Sequence, residues 1–191
     1  AVFRAAIKGD VGPVLFEIAR SEIGYTKQRP LEYTCAVIAA AVKSGWRGPV
    51  FLQGDHFQLS AKKFAADPQA EVKDVKDLIT EAVAGGFYNI DIDTSTLGDL
   101  SKPTGPEQQD TNIRLSTELG AYVRQAEPQG VTISVGGEIG EVGGHNSTVE
   151  ELRAFMDGYV REMKKLAPGN PSTGSGQVPG LSKISIQTGT S

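Results

Sequence analysis

Two histidines occur in this 191-residue chain. One of them, His56, follows an aspartate at the end of the apolar run Pro49-Val-Phe-Leu-Gln-Gly-Asp-His-Phe-Gln58. An imidazole beside a carboxylate can carry protons or bind a cation, and a polar exit from a buried strand suits a functional loop. Comparable acids stand in other apolar runs: Glu17, then Asp91 and Asp93, then Glu138. Singly, each is commonly a helix cap or a loop acceptor. Gathered around one mouth they would repel one another at neutral pH unless raised pKa values or a cation relieved them, and a divalent metal is the simplest relief. The glycines of Gly136-Gly137-Glu138-Ile-Gly-Glu141-Val-Gly143-Gly144 would let backbone approach a ligand closely, as phosphate sites require.

The elements that must position these residues alternate along the chain. A helical pattern over residues 1–8 precedes a strand over 11–19, a loop over 20–29 and a helix from Pro30 to about Ser44, closed by Gly45. The strand around Leu52 leads through a long connection, 57–71, to a helix over about 72–84, closed by Gly85-Gly86. A strand over 88–94, a loop over 98–110, a helix over about 111–125 and a strand over 131–136 follow. Ser147-Thr-Val-Glu150 has the form of a capping box and starts a helix ending near Leu166. A Pro, Gly and Ser-rich stretch, 167–180, then separates that helix from a last strand, 183–187.

This order is that of an α/β protein in one domain spanning 1–191. The strands' own alternation selects among α/β folds. Ile90 and Ile92 share one face while Asn89, Asp91 and Asp93 share the other; Ser134 and Thr132 oppose Ile133 and Val135; Ser185 and Gln187 oppose Ile184 and Ile186. Interior strands of a doubly wound sheet are covered on both faces and should be apolar on both. One polar face fits a (β/α)8 TIM barrel better, with its active site at the carboxyl ends of the strands. Five strands would make an incomplete barrel of roughly strands 2 to 6, and the abrupt ends lead us to expect missing sequence on both sides.

Hydrophobic residues make up 39% of the chain and the formal net charge is −4. No basic cluster exceeds the pairs Lys62-Lys63 and Lys164-Lys165, which argues against a nucleic-acid partner. No apolar run reaches the roughly 18 residues of a membrane span. The single cysteine, Cys35, lies in a helical apolar pattern and reads as a buried thiol; a cytoplasmic location is the expectation.

Taken together, three motifs resemble the class II, metal-dependent fructose-bisphosphate aldolases. Asp55-His56 followed by Lys62-Lys63 resembles the family's strand-end Asp-His, Ile90-Asp-Ile-Asp93-Thr-Ser95 its Ile-Asp-x-Ser segment, and Glu138-Ile-Gly140 with Gly143-Gly144 its Glu-Leu-Gly…Gly-Gly segment. The resemblance implies a (β/α)8 enzyme, dimeric or larger, that cleaves a phosphorylated ketose with Zn2+ or another divalent metal. It implies that Asp55 exchanges a proton with the substrate hydroxyl and that His56 binds the metal. Asp93 and Glu138 would belong to its alternate position or surroundings, and Ser21, Gly189 and Ser191 would contact substrate or its phosphates. Two departures stand out. The family's other two zinc histidines fall beyond Ser191, and His145-Asn146 replaces the acidic residues usual after the Gly-Gly pair. Gly54-Asp55-His56 and Asp91-Ile-Asp93-Thr-Ser95 also resemble the non-catalytic, stabilising subunit of tagatose-bisphosphate aldolase; a metal-free phosphosugar-binding barrel is a third reading. Lys183, at the start of its strand, does not suit a Schiff-base role.

Overall fold

The computed structural model describes residues 1–140, 146–166 and 180–189. Five parallel strands form one sheet in the order β1-β2-β3-β4-β5: Val14–Ala19, Val50–Gln58, Asn89–Asp93, Ser134–Glu138 and Lys183–Ser185. Spatial order follows chain order without reversal, so the sheet has no switch point of the doubly wound kind. It is an α/β sheet wound in one direction, and closure into a barrel is not seen among the described residues. No helix in them is long and apolar enough to cross a membrane.

Seven α-helices connect and flank these strands among the described residues: α1 (Val2–Lys8), α2 (Arg20–Thr26), α3 (Pro30–Ser44), α4 (Ala61–Ala66), α5 (Pro68–Ala84), α6 (Gly105–Ala126) and α7 (Val149–Leu166). α3 follows its sequence signals from end to end. Pro30 occupies the first turn, Glu32 accepts the Arg29 N–H at 2.9 Å, and Gly45 closes it at φ 72°.

Elsewhere the boundaries move. Residues 20–26, expected as loop, form α2, whose Glu22 accepts the Ala19 N–H at 2.8 Å. The expected connection 57–71 is divided among the end of β2, α4 and the first turn of α5. Asp67 caps α5 through the Ala70 N–H at 3.0 Å, and Pro68 opens it. α6 starts at Gly105 rather than near 111. The cap of α7 is Thr148, paired reciprocally with Glu151, because the Ser147 hydroxyl instead accepts the Gln187 N–H at 2.9 Å. Cys35 is exposed, contrary to expectation. α3 carries two apolar stripes, and it is Val37 and Ala41 that face the core, leaving Ile38 and Val42 outside.

The sheet's apolar face carries Leu52, Ile90, Ile92 and Val135 into a core shared with Val75, Ile79, Leu119 and Val123 of the covering helices. Each such buried side chain contributes roughly 1.5–3 kcal/mol of transfer free energy. A second cluster, Ile113, Ile139, Phe155, Tyr159 and Met163, joins α6 to α7. With the apolar face spent on packing, alternation leaves the other face for Glu17, Gln53, Asn89, Asp91, Asp93, Glu138 and Lys183.

Candidate metal centre at the carboxyl ends of the strands

A bulge in β2 builds the site. Gly54 pairs with Ile90 and Phe57 with Ile92, so β2 spends one more residue than β3 between those two pairings. The extra residue is taken up at His56, held at φ 41°, a left-handed conformation that non-glycine residues seldom adopt. Regular alternation would send Asp55 and His56 to opposite faces. The bulge keeps both near the polar face and turns Phe57 into the core, fully buried over Gly54.

His56 Nδ1 then lies 3.2 Å from Asp93 Oδ2 and 3.0 Å from Glu138 Oε1, while Nε2 lies 3.8 Å from Asp55 Oδ2. Asp93 is oriented from several sides. Its Oδ1 accepts the Ser95 N–H at 3.1 Å and the Ser95 hydroxyl at 2.6 Å, and its Oδ2 accepts the Gln58 side-chain amide. Glu138 is held through its backbone. Its carbonyl accepts Asn112 Nδ2 at 2.9 Å, and the Ile139 carbonyl accepts Gln109 Nε2 at 3.2 Å. Asn112 also accepts the Thr94 hydroxyl at 2.6 Å, so one buried polar run on α6 grips the chain next to both carboxylates.

The electrostatics follow from crowding. Burial pushes the Glu138 carboxyl up to about 8, and the neighbouring charges of Asp93 and Asp91 add to this while His56 opposes it. Burial also raises Asp91, as does the Asp55 charge, against the lowering effects of its hydrogen bond with Glu138, of Lys183 and of His56. For His56, burial lowers the pKa, but the hydrogen bond to Asp93 and the charges of Glu138, Asp55 and Asp93 more than reverse it, leaving the imidazole above its usual value.

His56, Asp93 and Glu138 each offer one ligand atom, and these atoms all lie within 4.8 Å of one another. A tetrahedral ion about 2.1 Å from each ligand wants them roughly 3.4 Å apart, so small side-chain movements would admit one. One imidazole with two carboxylates suits zinc, manganese or iron by donor type. The trio can therefore hold a divalent cation, and it lines a cavity of about 380 Å³ together with Gln58, Ser95 and Gln187.

Of the residues expected at the site, Asp55, His56, Asp93 and Glu138 are brought together. Ser21 lies in the first turn of α2 and lines a neighbouring cavity of about 430 Å³, which also reaches His56 and Gln58. Gly189 follows β5 and does not line the His56 cavity. Ser191, His145 and the Gly143-Gly144 pair lie outside the described residues. Sequence reasoning missed Gln58, Asn112 and Gln109. The only hint of the last two was polar residues on what becomes the buried side of an amphipathic helix.

No family model and no curated protein matches this chain. Among solved structures, a probable tagatose 6 phosphate kinase from Sinorhizobium meliloti 1021 is similar, with a TM-score of 0.67 and 21% sequence identity over 97% of this chain and 46% of that one. The chain spans about half the length of the structure it matches. At that identity the likeness establishes a shared fold.

Proposed function

We propose that this chain is part of a (β/α)8 phosphosugar barrel of the fructose- or tagatose-bisphosphate aldolase kind, and that His56, Asp93 and Glu138 hold a divalent cation at its mouth. The observation that carries the proposal is the convergence of one imidazole and two carboxylates from three consecutive parallel strands within 4.8 Å. The one-directional strand order and the polar inner face support the barrel.

A divalent cation bound there would supply Lewis acidity at the carbonyl of a ketose bisphosphate. Asp55 stands on the exposed side of His56, 25% accessible, where a substrate hydroxyl can reach it. As a carboxylate it would take the hydroxyl proton while the adjacent carbon–carbon bond breaks, and return a proton in the reverse direction. Ser95 and Gln58 hold Asp93 in place, and its carboxylate would be one of the groups to hold the cation. The cavity beside Ser21, Arg20 and Lys63 lies on the other flank of His56, and positive charge there suits a phosphate.

A second reading is favoured by the similar solved structure, whose name concerns tagatose 6 phosphate: the non-catalytic, stabilising subunit of tagatose-bisphosphate aldolase. Both readings place the chain in sugar-phosphate metabolism, and they separate on activity. The whole protein of which this chain is part, loaded with Zn2+, Mn2+ or Co2+, should cleave fructose 1,6-bisphosphate or tagatose 1,6-bisphosphate, followed by coupled oxidation of NADH by the triose phosphate released, whereas residues 1–191 alone should show little cleavage. Metal bound at one site per chain without cleavage of either sugar would favour the subunit reading. Failure to bind any of the three ions would remove the proposed centre.

A further inference from the structure

The polar face carries a lysine that the proposed centre does not use. Lys183 opens β5, yet its Nζ donates to Gln53 Oε1 on β2, reaching over β4 and β3. Its stem lies on Gly136, where an added Cβ would stand 2.9 Å from Lys183 Cε and would overlap Asp91 Oδ1. The ammonium has three donors and no acceptor, so it fixes which end of the Gln53 amide faces it. The opposite end, Nε2, then points at Asp55 Oδ1, 3.2 Å away, and at Glu17 Oε2, also 3.2 Å away. Among the described residues, no carboxylate oxygen lies within ion-pair distance of the lysine. Burial lowers its pKa, while Asp91, Asp55 and Glu17 oppose that.

We propose that Lys183 and Gln53 form a positioning relay for Asp55: the lysine locks the glutamine amide so that its N–H groups, rather than its oxygen, meet the Asp55 carboxylate. With no lysine, the amide oxygen loses its donor, and the side chain is free to turn about its stem and withdraw its N–H groups from Asp55. Asp55 would then swing away from the mouth. Lys183 and Gln53 are positioning residues; neither touches substrate. The inference rests on the reading of Asp55 as the proton-transfer group.

Two variants separate this role from simple packing. Lys183→Met keeps the stem and loses the donor. Gln53→Glu should strengthen the contact with Lys183, since a carboxylate accepts from an ammonium better than an amide does. It nevertheless presents only acceptors to Asp55. A structural role predicts that any harm appears as a lowered melting temperature, including from loss of the Gln53–Glu17 contact in the second variant, whereas the relay predicts that both lose turnover in the same way out of proportion to stability. In the metal-loaded whole protein, kcat for ketose-bisphosphate cleavage should fall roughly ten- to hundredfold in each, the worth of one hydrogen bond to a charged group, with KM and bound metal unchanged. Normal kcat in Gln53→Glu would overturn the relay and leave the aldolase reading standing.

A second measurement does not depend on turnover. The Gln53 side-chain amide signal in a 15N NMR spectrum should shift on Lys183→Met and again on Asp55→Asn. If the wild type cleaves neither sugar, the aldolase reading fails by itself, and a Gln53 signal indifferent to both variants would overturn the relay on its own terms.

Discussion

Replacing Glu71 with glutamine tests how the floor of the site is anchored. The Glu71 side chain is fully buried at the start of α5, and its carboxylate accepts Arg20 Nη1 at 2.5 Å, Arg20 Nη2 at 3.2 Å and the Ser60 N–H at 2.7 Å. The same Arg20 Nη1 donates to the Gln58 carbonyl at 2.6 Å, so this cluster ties the ends of β1 and β2 to α5, directly beneath the glutamine that orients Asp93. Glutamine keeps the shape but turns an NH2 group toward donors and leaves the guanidinium without its counter-charge.

Breaking a buried ion pair typically costs 3–5 kcal/mol. Arg20 is 18% accessible and can recover part of its hydration, which reduces the expected loss to about 2–3 kcal/mol. For a chain of this length that corresponds to roughly 5–10 °C in Tm. Burial raises the Glu71 pKa, but hydrogen bonds from Arg20 and Ser60 and the charges of Arg20 and Lys63 outweigh it, so the folded value is lowered. A lowered carboxylate contributes its full stability above the unfolded pKa and loses it as pH falls through the folded pKa. Urea denaturation should therefore show the full deficit near neutral pH and a shrinking one toward about pH 3. A deficit below about 0.5 kcal/mol at neutral pH, or one that stays constant on acidification, would refute this account of the anchor.

Other perturbations probe the site and the surface. On the proposed function, Asp55→Asn in the whole protein should retain bound metal while ketose-bisphosphate cleavage falls by roughly 10²–10⁴-fold, whereas His56→Ala should lose metal and turnover together; metal analysis alongside the coupled assay distinguishes them. Gly54→Ala would drive a Cβ into the Phe57 ring, 2.6 Å from Cε1 and 2.9 Å from Cε2, and Phe57 has no room to move. It should cost about 1–3 kcal/mol in denaturation experiments and weaken metal binding by disturbing the bulge. Cys35 should react at native conditions with a disulfide-exchange reagent, one equivalent per chain without denaturant; labelling only on unfolding would contradict its exposure on α3.

Much of the scaffold was legible because local and global preferences agree. Proline at the first turn and glycine after the last bound α3, and Ile90 and Ile92 against Asp91 and Asp93 mark a strand with one polar face. Where reading went astray, the signal was present but short. Asp67-Pro68 is a cap followed by a first-turn proline, yet it stands in a stretch too polar to suggest a helix. The burial of Asn112 and Gln109 was invisible for a different reason: a polar residue is buried only when a partner waits for it, and those partners are carbonyls 26 and 30 residues away. The bulge at His56 is of the same kind. Its left-handed backbone is imposed by the pairing of β2 with β3, and the sequence around it carries no glycine at that position to announce it.

The grip of α6 on the backbone beside both carboxylates has a consequence for variation. Asn112 reaches Thr94 just after Asp93 and the carbonyl of Glu138, so the spacing between the two acids is set by a single helix turn lying behind the sheet. A template of that sort sits away from solvent and away from the loops at the mouth. Loops at the mouth could be lengthened, shortened or exchanged without altering how far apart the acids stand. A one-residue insertion in the middle of α6, by contrast, would rotate Asn112 by about 100° around the helix axis and release both acids at once. Changes to the mouth therefore belong in the loops, and the register of α6 is the part of the molecule to leave untouched.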